Sequence, residues 1–389
     1  MRFIHTADWQ IGKVFQQFGV KEEGLRQARL AAIERIGRVA VSEGVTHVLV
    51  AGDIFDSESP APVTLRAPLE RMKQFPQLQW HLLPGNHDPH RSEGVWDRVR
   101  QLGLPRHIQL HLTPQPVVID EALLLPAPLT RKSASDDLTA YMDHVSSEPG
   151  ALRVGFAHGS IMGLGREGDA NNPIDPMRPV KAGLDYLALG DWHRTCQIGP
   201  AIWYCGTPEP DRAGGQERGC ALLVDLPAPG APAKVEIVPT GTYRWLTREE
   251  RVNDSSDLAD IDALMRAEGD LSRLVLRLRL TGTLPLAGYS MLRQFCVDLE
   301  AALFHLEVDE SGMLVRPTAA DLESIDFDGA LRRAADLLRA RAEDPAESEE
   351  GRRRAERALV ELYSRVVEQP RGAATSRRRQ VMGTAEVAA

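Results

Sequence analysis

Three strand-like runs, Arg2 to Ala7, Thr46 to Ala51 and Leu78 to Leu83, constrain this chain most, because each stops at a polar cluster. The first ends at Asp8, the second at Gly52-Asp53 and the third at the turn Gly85-Asn86-His87-Asp88. Thr46 to Ala51 is almost wholly apolar, as a strand buried on both faces should be. Between the runs lie helical patterns. Leu25, Ala28, Ala32, Ile36 and Val39 make an apolar stripe over residues 22–42, with Gly44 as its stop, and a second helix is expected over residues 62–74. A β-α-β-α-β rhythm of this kind predicts a largely parallel sheet covered by helices. In such sheets ligands collect beyond the carboxyl ends of the strands, where all three clusters fall.

Past Arg106 the helical patterns thin out and short strands are expected near residues 108–112, 117–119 and 123–125. Two more runs end in imidazole: Arg153 to Phe156 leads to His158-Gly159, and Tyr186 to Leu189 leads to Gly190-Asp191-Trp192-His193. Further strands near residues 202–204, 220–225 and 235–238 predict a second sheet packed on the first. The expected fold class is therefore α/β, an α-β-β-α sandwich closing near residue 242. Residues 243–325 read as a small α/β capping domain: a helix over 256–267 with Asp257 near its cap, a Leu/Arg-alternating strand over 274–280 and a helix over 289–304. Residues 326–369 read as helical with narrow apolar stripes that bury against something, and the Ala, Gly and Arg-rich end, 370–389, as a disordered tail.

Composition excludes several classes. A formal charge of −9 argues against a protein that coats nucleic acid through a basic face, although nine Arg against four Glu after residue 350 give the end a local positive excess. That excess is read equally well as a solvated helix face. The four cysteines show no C-x-x-C spacing, so neither a zinc knuckle nor a disulfide framework is expected, and a reducing cytoplasm fits. No signal peptide or membrane span is expected.

The strand-end residues Asp8, Gln10, Asp53, Asn86, His87, His158, Asp191 and His193 combine carboxylates, amide oxygens and imidazoles, the donor set that two neighbouring divalent cations need. Two such ions hold a phosphate oxygen and acidify water for in-line attack on phosphorus. Asp53 is expected to bridge them, and His87, binding no metal, to protonate the leaving oxygen. His5, His47 and His81 lie within strands and are assigned to packing or support. Arg194 and Arg212 are candidates for phosphate contact, with ordinary surface ion pairs as the alternative.

Asp8-x-Gln10, Gly52-Asp53-x-x-Asp56, Gly85-Asn86-His87-Asp88, the Gly-bounded His158 and Gly190-x-x-His193 together resemble the five blocks of the calcineurin-like metallophosphoesterases. The phrases His5-Thr6-Ala7-Asp8-Trp9, Ala51-Gly52-Asp53-Ile54-Phe55-Asp56 and Trp203-Tyr204-Cys205-Gly206-Thr207-Pro208-Glu209 resemble the SbcD-type DNA-repair exonucleases within that superfamily. The resemblance implies a first metal held by Asp8, Gln10, Asp53 and His193, a second held by Asp53, Asn86, His158 and Asp191, and His87 as acid. It further implies manganese (or magnesium), DNA exonuclease and endonuclease activity, a homodimer, and a coiled-coil SbcC-type ATPase gripping the helices of residues 326–369. Two positions depart from the family pattern. Gln10 and Asp191 stand where histidine is usual, which predicts a loosened first site and a second site that prefers harder ions to zinc. Two other readings compete: a phosphatase or small-molecule phosphodiesterase on the same fold, and a catalytically weakened scaffold that binds DNA ends.

Overall fold

The computed structural model describes residues 1–164, 171–215, 217–315 and 330–367. The expected end segment, 370–389, and the expected junction near 325 lie outside the described residues. In chain order the elements are β1 (Arg2–Thr6), α1 (Glu22–Ser42), β2 (His47–Val50), α2 (Pro62–Lys73), β3 (Gln79–Leu82), α3 (Val95–Gln101), β4 (Ile108–Leu110), β5 (Val117–Ile119), β6 (Ala122–Ala127), β7 (Leu152–His158), β8 (Ser160–Ile161), β9 (Pro173–Ile174), α4 (Arg178–Ala182), β10 (Tyr186–Gly190), β11 (Cys196–Gly199), β12 (Ile202–Tyr204), β13 (Arg218–Asp225) and β14 (Lys234–Val252). After them come α5 (Ser255–Ala267), β15 (Leu274–Leu284), α6 (Leu286–Ala302), β16 (His305–Val315), α7 (Ala330–Glu343) and α8 (Glu349–Val367). The chain divides into two compact units, Met1–Thr247 with Ser272–Leu276, and Arg248–Leu271 with the residues from Arg277 onward.

The first unit is the α/β sandwich that the strand pattern predicts. One sheet runs β4-β3-β2-β1-β13 and on to β14, with β1 to β4 parallel and β13 antiparallel to β1. The other runs β11-β12-β10-β7-β6-β5, parallel inside and antiparallel at both edges. Successive side chains of a strand point to opposite faces, so each buried strand serves two cores. Phe3, Leu49 and Leu83 face Leu124, Phe156 and Tyr186 of the other sheet. Ile4, Val48 and Trp80 face the other way, towards Ile33 and Ile36 of α1 and Leu69 of α2. The second sheet likewise turns Leu125, Leu187 and Leu189 towards Met142, Ala182 and Leu184.

His5, His47 and His81 lie on the inner faces of their strands. His5 Nδ1 meets the Tyr186 hydroxyl of the facing sheet at 3.0 Å. His47, His81 and His111 form a buried row that ends at the exposed carboxylate of Asp120: 2.9 Å from His47 Nε2 to Asp120 Oδ2, then 3.0 Å at each ring-to-ring step. The bonds are consistent with every Nε2–H donating towards Asp120.

Some elements differ from expectation. The strand expected over 235–238 continues to Val252, because Thr242, Tyr243, Trp245 and Thr247 suit a strand as well as the residues before them. The seven-residue α3 is too short to show two full turns of periodicity, and β16, broken by Glu, Asp and Gly312, gives a weak alternation. In the second unit, Asp254 and Asp257 form a capping box at the start of α5. In β15, Leu278 and Leu280 are buried while Arg279 faces solvent and pairs with Glu249 and Asp309. Among the described residues no helix is long and apolar enough to cross a membrane.

Candidate metal centre

The parallel strands deliver their following loops to one end of the first unit, and there the backbone is strained. Asp8 (φ 54°), Gln10 (φ 44°), Asp53 (φ 54°) and Asp191 (φ 103°) all take positive φ. Non-glycine residues avoid that region at a cost of order 1–3 kcal/mol each, and those that occupy it cluster at functional sites. The strain is held by main-chain bonds that continue the β1–β2 ladder beyond the strands: Asp8 N to Gly52 O at 3.1 Å, Gln10 N to Asp53 O at 2.9 Å and Ile11 N to Ile54 O at 2.8 Å. Close approach dictates two glycines. A Cβ on Gly52 would lie 2.3 Å from His158 Nδ1, and one on Gly85 2.1 Å from Asp53 Oδ1.

Asp8, Asp53 and His158 offer ligand atoms within 4.8 Å of one another, all buried. His158 Nδ1 donates to the Ala51 carbonyl at 2.7 Å, which turns Nε2 into the cluster, 3.5 Å from Asp53 Oδ1 and 3.8 Å from Asp191 Oδ1. That Nε2 is buried without a hydrogen-bond partner. Asn86 Nδ2 donates to Asp191 Oδ1 at 3.3 Å, leaving Asn86 Oδ1 buried and equally unpartnered. Buried polar atoms are rarely left so. An imidazole nitrogen facing carboxylates, with an unpartnered amide oxygen on a side chain bonded to one of them, is a donor set that a divalent cation satisfies, so the residues present fit the metal. Asp191 also accepts the Ser160 hydroxyl at 2.7 Å, and its N–H points at both Asp8 oxygens at 3.2 Å.

The electrostatics agree. Burial pushes the Asp8 carboxyl up to about 6; His193 and His158 oppose the rise, and Asp53 and Asp191 add to it. For His158 burial acts downward, but the carboxylates of Asp53, Asp8 and Asp191 outweigh it and lift the imidazole to about 9. Protons on these groups therefore balance the negative charge when no cation does.

The third loop is pinned from below. Asp88, fully buried, accepts the Gly85 N–H on Oδ1 at 2.7 Å and the Phe55 N–H on Oδ2 at 2.9 Å. His87 donates its main-chain N–H to Asp53 Oδ1 at 2.9 Å and sets Nδ1 3.0 Å from the Asp56 carbonyl. Its Nε2 then lies 3.9 Å from Asp53 Oδ2, and its side chain is 37% exposed.

Gln10 and His193 lie on the Asp8 side. Gln10 Oε1 accepts from Lys13 Nζ at 2.8 Å, and Gln10 Nε2 faces His193 Nε2 at 3.1 Å. His193 Nδ1 lies 3.0 Å from Asp211 Oδ2 in an ion-pair contact, and His193 Nε2 is 4.0 Å from Asp8 Oδ1. Sequence reasoning did not single out Lys13, Asp211 or Ser160: none follows directly on an apolar run, and Asp211 is 198 positions from its Lys13 partner. Arg194, a candidate for phosphate contact, donates to the carbonyls of Gly214 and Gly215. Trp9 is buried under the strand ends against Trp80, its indole N–H on Thr6 Oγ1.

Comparison with known proteins follows the same outline. Residues 1–171 match the calcineurin-like phosphoesterase family. Over 336 residues the chain is 28% identical to the SbcD subunit of the SbcCD nuclease of Rhodobacter capsulatus, covering 71% of this chain and 80% of that protein. It is 26% identical over 234 residues to the uncharacterized metallophosphoesterase YhaO of Bacillus subtilis (54% of this chain, 53% of YhaO). It is also 26% identical over 259 residues to the DNA double-strand break repair protein Mre11 of Methanosarcina mazei (64% of this chain, 40% of Mre11). Of these last two proteins the chain thus spans only about half or less.

Proposed function

The chain carries a calcineurin-like metallophosphoesterase domain, and from that premise we infer that it hydrolyses phosphodiester bonds in DNA, as the nuclease subunit of a DNA-processing complex. The observation that carries the reading is the pair of unpartnered buried atoms, His158 Nε2, which faces the carboxylates of Asp53 and Asp191, and Asn86 Oδ1, on the side chain whose Nδ2 donates to Asp191. Asp53, Asn86, His158 and Asp191 would hold one divalent cation, and Asp8, Asp53 and His193, with Gln10 beside them, a second. Manganese or magnesium suits a set in which oxygen donors outnumber nitrogens. Bound there, such ions supply Lewis-acid neutralisation of a phosphoester oxygen and acidification of water.

The chain's own residues do the rest. Asp53 lies between the two donor sets and belongs to both. His87, anchored through its main chain to Asp53 and through Nδ1 to the Asp56 carbonyl, presents Nε2 to the open side of the cluster. As a water oxygen bonds to phosphorus and gives up a proton to solvent, the bond to the leaving oxygen breaks, and a proton carried by His87 passes to the leaving oxygen. DNA as substrate is supported by relatives whose names are a nuclease subunit and a double-strand break repair protein. The sequence resemblance to the SbcD-type exonucleases in turn implies a coiled-coil ATPase as the partner for α7 and α8, and a homodimer as the assembly.

The test sets end-labelled linear duplex DNA against a small chromogenic diester, with the full chain, manganese and a chelator control. Cation-dependent shortening of the duplex, lost in Asp53→Asn and His87→Ala, is expected. Turnover of the small diester with intact DNA would move the substrate to small phosphodiesters. No cation-dependent turnover of either would defeat the hydrolase reading.

A further inference from the structure

The Asp8 side of the centre holds a closed ring of contacts. Lys13 Nζ donates to Gln10 Oε1 at 2.8 Å and to Asp211 Oδ2 at 2.7 Å; Gln10 Nε2 faces His193 Nε2 at 3.1 Å, and His193 Nδ1 lies 3.0 Å from Asp211 Oδ2. Lys13 is three-quarters buried and Asp211 almost wholly so, 25% and 3% exposed. Chemistry sets the orientation of the Gln10 amide. An ammonium has only donors, so the group facing it must be the amide oxygen. With Nδ1 set against the Asp211 carboxylate, the neutral His193 ring carries its hydrogen there and its lone pair on Nε2, so the amide N–H2 that faces Nε2 engages the lone pair a cation would need.

Opposite Lys13 the situation is reversed. His158 Nε2 and Asn86 Oδ1 have no partner to give up. A cation using His193 must first displace the Gln10 N–H from Nε2. Were Gln10 to turn its oxygen inward instead, its N–H2 would face the Lys13 ammonium, donor against donor. The ammonium is in addition a fixed positive charge on that side, and like charges repel most where water is scarce.

We propose that Lys13 acts through Gln10 as an internal competitor for the cation on the His193 side, so that the two cation sites fill in order and with strongly unequal affinity. The site held by Asp53, Asn86, His158 and Asp191 fills first; the site next to Asp8 and His193 fills only when the ring opens. This rests on the metal-dependent reading above. Lys13 is a positioning residue here, since it meets no reacting atom.

Calorimetric titration of the full, chelator-treated chain with Mn2+ tests the proposal. Wild type should bind one equivalent tightly and a second about a hundredfold more weakly. Lys13→Met, which keeps the stem but removes the charge, should strengthen the second step about tenfold or more and leave the first unchanged. Two equally tight steps in wild type, or a weaker second step in Lys13→Met, would overturn it. Absence of any saturable Mn2+ binding in wild type would overturn the metal-dependent reading as well, which distinguishes the two failures. Should Lys13→Met not fold, 15N-resolved spectra of the imidazoles in wild type still decide, with Zn2+ as a diamagnetic probe. The first equivalent should shift His158 Nε2 and spare His193; a shift at His193 first overturns the order.

Discussion

Replacing Asp88 with alanine separates the anchoring of the centre from its ligands. The Asp88 carboxyl group accepts two main-chain N–H groups, of Gly85 at 2.7 Å and of Phe55 at 2.9 Å, at a point with no solvent access. Alanine leaves both donors buried without an acceptor, at about 1–3 kcal/mol each, so the unfolding free energy should fall by about 2–6 kcal/mol. The deficit depends on pH in a definite direction. Burial holds the Asp88 carboxyl well above its ordinary 3.8, and the charge of Asp53 adds to the rise. The native state therefore keeps a proton that the unfolded chain has already released. That contribution is complete below 3.8 and is lost as pH rises through the raised native value, so the deficit of Asp88→Ala widens on acidification. Urea unfolding of the chelated chain measures it. Trp9, Trp80 and Trp96 are buried in the first unit, so tryptophan fluorescence reports on the right part of the molecule. The Phe55 and Gly85 loops carry Asp53 and Asn86, so Mn2+ affinity should fall about tenfold or more, equivalent to about 1.4 kcal/mol. An unchanged urea midpoint with unchanged Mn2+ affinity would refute the claim that Asp88 holds the loops in place.

Two further predictions concern protons. With His158 near 9 and Asp8 near 6, binding of the first Mn2+ equivalent at pH 7.5 should release about one proton, from His158, and its affinity should rise about tenfold per pH unit between roughly 6 and 9. Calorimetry in buffers of different ionisation enthalpy measures the release directly, and none at that pH would contradict the placement of His158 on the cation. Burial lowers the His111 imidazole to about 4, so between its ordinary 6.5 and that value the unfolded chain binds a proton that the native state does not. Stability from His111 is thus lost as pH falls through this window, at about 1.4 kcal/mol per pH unit. The slope of unfolding free energy against pH should be shallower by that amount in His111→Phe than in wild type, and equal slopes would show that His111 is not buried neutral.

The sandwich was legible because strands buried on both faces have no option but to be apolar, and they stand out as short runs closed by polar residues. Of the residues that those closures suggest, the structure brings Asp8, Asp53, Asn86, His158 and Asp191 into one cluster and sets His87 at its open edge. Contacts made by loops were not legible in the same way. Lys13 and Asp211 meet only because separate loops pass each other, and neither periodicity nor spacing encodes that meeting. Gln10 was visible as an amide in place of an imidazole. Which of its ends faces inward is decided by Lys13, and no local pattern carries that. Short elements failed for a simpler reason: α3 and β16 have too few apolar positions to reveal a period.

Strain, burial and charge at this centre act in one direction, against folding, and the scaffold is arranged to withstand them. Four non-glycine residues in left-handed backbone and several buried carboxylates lower stability before any cation arrives. What offsets them lies outside the ligand set: the β1–β2 ladder carried on through Ile11, the Asp88 anchor, and the apolar core between the sheets. A cation could not gather these ligands from a loose loop without restricting its freedom, at a cost to affinity. Here the restriction is already in place, and the protons on Asp8 and His158 hold the charge in balance until a cation displaces them. The measured proton release and the measured cation affinity therefore have to agree: a centre that bound Mn2+ tightly yet released nothing would be balanced by some other charge.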